Sequence, residues 1–437
     1  GYVLSDRPVP FVVDGTQDIV TVCKYNAAQK GTITVSKKGE VFSHAAESDG
    51  MYQPQYEVQG QPGAVYDIIA LEDIVTPDGA VHLKAGELAA TLTTGPDGTA
   101  TSAPLYLGPY QVLDRTAPDG LVKDPEPKNV VLSYAGQEVK ITSASVEFVN
   151  NRQKVEICLK KLLEQDEVFS IGMHEEWKSV TFGLFAAEAL TASDGTSIPA
   201  DGLIETIGVD ENGNAAFTTD VPCGASLYVK EIATDDHYIL SDEKYPVVFE
   251  YAGQDVAVVE IDVNDGEAIE NKLKRGKISG WKVDQDGFEL GGAVIGLFQP
   301  DETEFTEKTA LMVAESNEIG YFEFNNVPIG NWLVREIAPP AAFVLSEERF
   351  PVEITENGQT IEITIENQII RGTVETTKVD ADYPDHKLSG AVFEIYADVD
   401  NNGKFDADID RLVGEMAETE PGLYQLKDLA CGNYLLH

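Results

Sequence analysis

The sequence predicts an all-β protein, built of tandem β-sandwich domains arranged end to end. Three observations lead to this prediction. Apolar and polar residues alternate in many short runs, glycine-containing turns separate those runs, and the same short strings recur along the 437 residues. Hydrophobic residues make up 43% of the chain, which is enough to build packed cores. Long stretches with the spacing of an amphipathic helix are almost absent, so a helical fold is not expected.

Three sets of strings recur in the same order and define a repeat. Members of the first set begin with a small residue and valine, and members of the second contain a glycine turn before an apolar strand. Members of the third contain two strand-like runs around a glycine turn, which predicts a hairpin at the end of each repeat. The first set is GAVYDIIAL (63–71), SVTFGLFAA (179–187), GAVIGLFQP (292–300) and GAVFEIYAD (390–398). The third set is found at 9–22, 129–141, 246–261 and 350–365.

A fixed spacing, N-x4-G-x5-K, marks the joints between repeats. It is complete at Asn26/Gly31/Lys37, Asn271/Gly276/Lys282 and Asn367/Gly372/Lys378. At the remaining joint Asn150 is followed by Lys154 in place of the glycine and then by Lys160, with Lys161 as the alternative lysine. These markers predict five segments: the closing hairpin of an incomplete repeat (1–30), three whole domains (31–153, 154–275 and 276–371) and the opening part of a further domain (372–437).

The charge of the chain excludes several kinds of partner. There are 75 acidic and 31 basic residues, for a formal net charge of −44. Nucleic acid is a polyanion and would be repelled, so we expect no nucleic-acid partner. No apolar run approaches the roughly 18 residues of a membrane span, and we expect no membrane insertion. The first ten residues lack the features of a signal peptide, so we expect either that the numbering begins after processing or that the chain is a segment of a longer protein.

Three polar residues in apolar strands suggest chemistry in the domain at 276–371. Lys282 lies in the first predicted strand, Glu336 in a middle strand and Asn367 at the end of the last. If the first and last strands pair, the lysine and the asparagine become neighbours, and the glutamate of the facing sheet can cap them. A buried lysine shifts toward its neutral, nucleophilic form and a buried glutamate toward its protonated form. We therefore predict a self-generated Lys–Asn amide bond with loss of ammonia, in which the acid shuttles protons.

The same trio is predicted in the two preceding domains. In 154–275 it consists of Lys160, Glu231 and Asn271, and in 31–153 of Lys37, Asp114 and Asn150. The partial repeats contribute only the counterparts Asn26 and Lys378. The reaction turns over once per domain and requires no cofactor, so we expect maturation of a structural protein and not an enzyme.

These ordered motifs resemble the B-type repeats of Gram-positive collagen adhesins, also described as the CnaB or SpaA-like, prealbumin-like domains of sortase-assembled pilins. The resemblance covers essentially the whole chain and implies an Ig-like β-sandwich in each repeat. It also implies isopeptide bonds at the lysine, asparagine and acidic positions named above. Two departures stand out: Asp114 is shorter than the glutamates, and the joint at 150–160 lacks its glycine.

An acidic segment at 398–410, DVDNNGKFDADID, is a candidate calcium loop. Its oxygen-bearing residues follow the spacing of a calcium-binding loop, although Ile409 stands where a bidentate glutamate is expected, and Asp410 is the candidate substitute. The alternative is a solvated acidic turn. The predicted ligands are Asp398, Asp400, Asn402, the carbonyl of Lys404, Asp406 and Asp410.

Three functions are compatible with this sequence. The first is a structural stalk of a bacterial cell-surface adhesin or pilus-like protein, secreted and attached to the cell wall through a segment outside this chain. The second is an adhesin whose repeats bind a host, matrix or glycan ligand, with the additional residues at 42–62 and 72–100 as the place to look. The third is an accessory module of a larger secreted enzyme. In each case we expect neighbouring repeats of the same or a larger chain as partners.

Overall fold

A computed structural model describes all 437 residues and confirms the all-β prediction. Strands make up the repeats, and the only helical elements are two 3-10 turns, Glu176–Ser179 and Val263–Gly266. The chain divides into two compact units. The first comprises 1–163, 174–235 and 240–271, and the second comprises 164–173, 236–239 and 272–437. No helix in the structure has the length and apolar character needed to span a membrane.

The first repeat contains two facing sheets, β11-β1-β2 and β10-β9-β3-β6, with β7 and β8 also paired to β1 and a separate ribbon β4-β5. Its strands are β1 (Lys30–Ser48), β2 (Met51–Gly60), β3 (Val65–Ala70), β4 (Ile74–Val75), β5 (Val81–Leu83), β6 (Leu88–Thr93), β7 (Thr99–Thr101), β8 (Leu105–Tyr106), β9 (Gly108–Thr116), β10 (Lys128–Leu132) and β11 (Ile141–Asn150).

The second repeat has the sheets β17-β12-β20, in which β21 also pairs β12, and β16-β13-β18-β19, together with a ribbon β14-β15. Its strands are β12 (Lys154–Leu163), β13 (Thr181–Ala186), β14 (Leu190–Thr191), β15 (Ser197–Ile198), β16 (Leu203–Gly208), β17 (Asn214–Phe217), β18 (Ser226–Ala233), β19 (Lys244–Val248), β20 (Val258–Asp262) and β21 (Ile269–Asn271).

The third repeat has the sheets β25-β22-β29-β27 and β24-β23-β26-β28. Its strands are β22 (Arg275–Asp284), β23 (Val294–Phe298), β24 (Met312–Glu315), β25 (Tyr321–Pro328), β26 (Gly330–Ala338), β27 (Phe343–Val344), β28 (Phe350–Ile354) and β29 (Thr360–Ile369). The last repeat has two three-stranded sheets, β30-β34-β33 and β32-β31-β35. Its strands are β30 (Arg371–Thr377), β31 (Glu394–Ala397), β32 (Arg411–Glu415), β33 (Ala417–Glu420), β34 (Leu423–Ala430) and β35 (Tyr434–Leu436).

The alternation of apolar and polar residues places one face of each strand in the core. Along β1 buried residues alternate with half-buried ones, so Ile33 and Val35 point inward toward the facing sheet. They join Tyr66, Ile68 and other buried side chains in the core of the first repeat. Burying each such side chain stabilises the fold by roughly 1.5–3 kcal/mol before the entropy cost of ordering the chain. The core thus fixes the two sheets face to face, with any polar side chain on the same inner face held between them.

The predicted closing hairpins are wrong in topology. In the first repeat β10 pairs β9, whereas the following strand β11 pairs β1 in the opposite sheet. The third repeat repeats the pattern, since β28 pairs β26 and β29 pairs β22. The glycine turn therefore carries the chain from one sheet to the other, because both strands have an inner face that must be covered. As a result, the last strand lies parallel to the first strand of its own repeat.

Residues 1–29 also differ from the predicted hairpin. They contain no strand, and their isolated bridge joins Tyr2 and Ala28. Gln29 fixes the end of the segment, since its side chain accepts a hydrogen bond from Ala135 N at 2.9 Å and donates one to the Gly136 carbonyl at 2.9 Å.

Candidate functional site

The parallel pairing of first and last strands sets the position of the candidate site. In the third repeat Lys282 lies opposite Ile365, and Asp284 lies opposite Asn367. Lys282 and Asn367 are therefore offset by two positions, so their side chains point to the same inner face of the sheet. The first repeat has the same offset, because Lys37 lies opposite Phe148 and Gly39 opposite Asn150. The register thus brings each lysine near its asparagine.

The structure brings the three predicted residues of the third repeat together. The side chains of Lys282 and Glu336 are both 0% exposed, and the ammonium lies 3.7 Å from Glu336 Oε1. Asn367 donates from Nδ2 to Glu336 Oε2 at 2.8 Å. Glu336 lies on β26, which belongs to the sheet facing β22 and β29. The acid therefore caps the lysine and the asparagine from across the core, as the sequence predicts.

In the second repeat the structure places Lys161, and not Lys160, in the site. Lys160 is exposed, whereas Lys161 is buried and donates to Asn271 Oδ1 at 2.5 Å. The same ammonium is 3.1 Å from Glu231 Oε1, and Asn271 Nδ2 donates to both glutamate oxygens at 2.9 Å. The physical reason is the period of the strand, since successive side chains point to opposite faces. The prediction of Lys160 is therefore corrected to Lys161.

The first repeat shows the same cluster with an aspartate. Lys37 Nζ donates to Asp114 Oδ2 at 3.0 Å, and Asn150 Nδ2 donates to the same oxygen at 2.8 Å. The side chains of Lys37 and Asp114 are both 0% exposed. The shorter aspartate thus bridges the lysine and the asparagine through one oxygen.

A left-handed glycine supports the lysine in every repeat, and these glycines were not predicted from the sequence. The backbone N–H groups of Lys37, Lys161, Lys282 and Lys378 donate to the carbonyls of Gly98, Gly213, Gly320 and Gly422 at 2.7–2.9 Å. All four glycines have φ between 74° and 80°. A Cβ on Gly320 would lie 2.4 Å from the Lys282 carbonyl, and one on Gly213 would lie 2.1 Å from that of Lys161. Only glycine fits at these positions. A turn position occupied by glycine in each repeat is the sequence feature by which this contact could have been found.

A backbone N–H ten residues after each acid holds the carboxylate in place. Asp124 N donates to Asp114 Oδ2 at 3.3 Å, Ser241 N to Glu231 Oε2 at 3.1 Å, and Ser346 N to Glu336 Oε2 at 2.7 Å. The loop after the middle strand therefore orients the acid. This contact repeats at the same separation in all three complete repeats, which indicates one shared local geometry.

Burial changes the electrostatics of each lysine. Loss of solvation lowers the pKa of Lys37, Lys161 and Lys282, and the neighbouring carboxylate partly offsets this effect. A lowered pKa increases the fraction of neutral amine, which is the nucleophilic form. Several oxygens remain unpaired in these dry sites, namely Asp114 Oδ1, Asn150 Oδ1, Glu336 Oε1 and Asn367 Oδ1. The protonated state of the acids stays a prediction.

The counterparts in the partial repeats are not brought into such a cluster. Asn26 and Lys378 are both exposed. Lys378 keeps the glycine contact described above, so this backbone contact of the first strand is present in the last repeat as well.

The acidic segment brings together three of its six predicted calcium ligands. Ligand oxygens of Asp398, Asp400 and Asp410 all lie within 4.8 Å of one another, and Asp410 is buried. Asn402 instead donates from Nδ2 to Asp400 Oδ2, and Asp406 N donates to Asp410 Oδ2 at 2.7 Å. The Asp406 carboxylate is not part of this cluster of acidic side chains. Calcium binding stays a prediction.

The comparisons with known proteins agree with this architecture. Residues 276–369 match the family model described as SpaA, prealbumin-like fold domain. No curated protein matches the chain at the level of sequence. The family match covers the repeat in which Lys282, Glu336 and Asn367 meet.

One solved structure extends the likeness of fold to most of the chain, and two others match it with lower TM-scores. The Bacillus anthracis TIE protein matches 78% of this chain with a TM-score of 0.53 and 21% identity, and the chain spans about half (51%) of that structure. BcpA, the major pilin subunit of Bacillus cereus, matches 78% of the chain with a TM-score of 0.32 and 17% identity over 100% of its own length. The full-length major pilin SpaD of Corynebacterium diphtheriae matches 78% with a TM-score of 0.23 and 14% identity over 97% of its length.

Proposed function

From the SpaA prealbumin-like domain at 276–369 and the matching site in the two repeats before it, we propose that the chain is a structural stalk of a bacterial surface protein, stabilised by self-generated amide bonds. One observation carries the proposal. A lysine, an acid and an asparagine meet in the dry core of each complete repeat, in the same register. Such a set is costly to bury, which indicates a role beyond packing.

The proposed reaction joins Lys Nζ to Asn Cγ. The neutral amine attacks the carboxamide carbon, the Cγ–Nδ2 bond breaks, and the carboxamide nitrogen leaves as ammonia after taking one proton from the lysine amine. The acid, which accepts a hydrogen bond from Asn Nδ2 in all three repeats, relays that proton. The atoms balance without an oxidant, a metal or an added nucleophile. Holding the reacting groups in contact supplies the rate, as in other intramolecular reactions.

The bond would serve a protein that carries mechanical load. Force applied to a β-sandwich through its ends pulls on the first and last strands. An amide between Lys282 and Asn367 ties these two strands directly and closes a loop of most of the repeat. The loop-entropy model for disulfides gives about 4–5 kcal/mol for a loop of roughly 100 residues. A stalk exposed to pull outside the cell would gain both resistance and thermodynamic stability.

Peptide mapping tests this function. Trypsin digestion of the purified chain should yield branched peptides that link Lys37 to Asn150, Lys161 to Asn271 and Lys282 to Asn367. Glu336→Gln keeps the hydrogen-bonding groups but removes the proton relay, and it should abolish only the Lys282–Asn367 peptide. Recovery of all six residues in linear peptides would contradict the proposal.

The long hairpin formed by β1 and β2 of the first repeat bears on the adhesin alternative, because it contains part of the additional residues in which a ligand site was expected. Phe42, Ala45 and Tyr52 on this hairpin pack against the core of the second repeat. Backbone hydrogen bonds reinforce the contact, from Ser193 N to the Phe42 carbonyl at 2.9 Å and from Asp194 N to the Ser43 carbonyl at 3.3 Å. This use of residues 42–52 favours a joint between repeats over a ligand site. We therefore expect no signal from a glycan and matrix-protein binding screen of the intact chain, and a reproducible signal would favour the adhesin alternative.

A further inference from the structure

Tyr66 places a buried hydroxyl in the site of the first repeat. It lies on β3 directly opposite Asp114 of β9, and both residues face the core. Its ring packs on Phe148 with the centroids 4.8 Å apart, and the Lys37 ammonium lies 5.9 Å from the ring centroid. Tyr66 is 0% exposed, and its hydroxyl has no hydrogen-bond partner. A buried hydroxyl without a partner is costly, so its presence needs a reason.

The phenol is specific to the repeat that uses an aspartate. The residue opposite the acid is Phe182 in the second repeat and Ile295 in the third, where the acids are Glu231 and Glu336. Neither Phe182 nor Ile295 carries a polar atom. The hydroxyl is therefore present only in the repeat whose acid is an aspartate, which is one methylene group shorter than the glutamates of the other two repeats.

An unpaired acceptor lies in the same cluster. Asn150 Oδ1 is buried without a partner, as is Asn367 Oδ1 of the third repeat, whereas Asn271 Oδ1 of the second repeat accepts from Lys161 at 2.5 Å. Asp114 Oδ2 already accepts from Lys37, Asn150 Nδ2 and Asp124 N. When the amine attacks, negative charge develops on the carboxamide oxygen, which then requires a donor.

We propose that Tyr66 is a catalytic residue of the first repeat, whose hydroxyl donates a hydrogen bond to Asn150 Oδ1 as the Lys37–Asn150 bond forms. This rests on the proposed function and adds a residue to it. Asp114 relays the proton to the leaving nitrogen while Tyr66 stabilises the oxygen, and the phenol keeps its own proton. Burial raises the pKa of Tyr66 and keeps its hydroxyl in the donating form. Asp114 Oδ1 is also unpaired, but donation there would favour the charged carboxylate and oppose proton relay.

The test follows bond formation in the full chain. The parent chain and Tyr66→Phe are made by cell-free translation, quenched in acid at intervals and digested. The Lys37–Asn150 peptide is measured relative to the Lys282–Asn367 peptide of the same molecules. We expect Tyr66→Phe to slow the first bond by about tenfold or more, because loss of one oxyanion donor in an enzyme costs roughly 100-fold or more. The third repeat serves as an internal clock and should not change.

Two further variants separate chemistry from folding. Asp114→Glu added to Tyr66→Phe should restore the rate, since the second repeat pairs a glutamate with Phe182. Phe182→Tyr should leave the Lys161–Asn271 bond unchanged. An equal rate for Tyr66→Phe and the parent chain overturns the role of Tyr66 and leaves the proposed function standing. A slow rate that Asp114→Glu does not restore also overturns it, in favour of a packing role. Absence of the Lys37–Asn150 peptide from the parent chain overturns both for this repeat.

Discussion

At the scale of single residues, the proposed bond depends on the backbone position of each lysine. The Gly320 carbonyl accepts a hydrogen bond from Lys282 N at 2.7 Å, and the close approach leaves no room for a side chain on the glycine. A Cβ there would meet backbone, which cannot rotate away as a side-chain terminus can. This backbone contact therefore fixes the position of Lys282 along β22, and with it the position of the amine.

Gly320→Ala should displace Lys282 and reduce the Lys282–Asn367 bond severalfold. The control is Gly358→Ala in the same repeat, because Gly358 also has a positive φ, of 81°, but a Cβ on it would have no neighbouring atom within 4 Å. Both variants carry the backbone strain of an alanine in the left-handed region, of about 1–2 kcal/mol. The linked peptide is quantified by mass spectrometry. Equal linkage in the two variants would show that the Gly320 contact does not position the lysine for the reaction.

The buried lysine also predicts a pH dependence of stability in the unlinked state. The folded pKa of Lys282 is lowered, so between that pKa and 10.5 the unfolded chain binds more protons. The free energy of unfolding therefore rises with pH through this window. The Asn367→Ala variant, which cannot form the bond, is compared with Asn367→Ala/Lys282→Met in denaturation at several pH values. The stability deficit of the single variant should shrink as the pH approaches 10.5, and a constant difference would contradict the lowered pKa.

At the scale of the element, the proposed amide bond between β22 and β29 is the feature with the largest expected contribution to stability. Asn367→Ala removes the bond and leaves Lys282 beside Glu336. It should lower the free energy of unfolding of the third repeat by about 4 kcal/mol, if the loop-entropy model holds. Denaturation is followed by the fluorescence of Trp281 and Trp332 in this repeat. The second repeat, reported by Trp177, should unfold as in the parent chain.

The acidic segment gives a prediction for a loop. If Asp398, Asp400 and Asp410 hold calcium, added Ca²⁺ should raise the melting temperature of the last repeat, and Asp400→Asn should weaken the effect. Asp408→Asn serves as the control, because its carboxylate is outside the cluster. Isothermal titration of the whole chain with calcium should then show heat that Asp400→Asn diminishes. Equal responses of the two variants would identify the segment as a solvated turn.

The sequence could predict the strands of these elements better than their pairing. Alternation of apolar and polar residues locates β22 and β29 because the pattern is local. It does not tell whether consecutive strands such as β10 and β11 form a hairpin or lie in opposite sheets, since both arrangements bury the same faces. Lys161 was within reach of the sequence. It follows Asn150 by eleven residues, as Lys37 follows Asn26 and Lys282 follows Asn271, and the missing glycine obscured this.

At the scale of the whole molecule, repetition made the site predictable. Each member of the trio is an ordinary polar residue on its own, but three copies in the same order distinguish a site from chance. Tyr66 and the glycines whose carbonyls accept from the backbone N–H of each lysine were not found in this way. Tyr66 occurs in only one repeat. The role of the glycines depends on how closely two backbone segments approach each other, which the order of residues along the chain does not show.

The charge of −44 has a consequence at this scale as well. Like charges along a chain of repeats repel one another, which favours solubility and opposes collapse onto neighbouring molecules. This suits a stalk, and covalent ties within the repeats would offset the destabilising part of the repulsion. The effect is strongest at low ionic strength, where screening is weakest.

The intact mass of the purified chain tests the central claim most directly. We expect a mass lower than that of the sequence by three molecules of ammonia, one for each complete repeat. Lys282→Ala should restore one of them, and Lys160→Ala should restore none. A parent chain with the full mass of its sequence would show that the lysine and asparagine side chains lie together in the core without reacting.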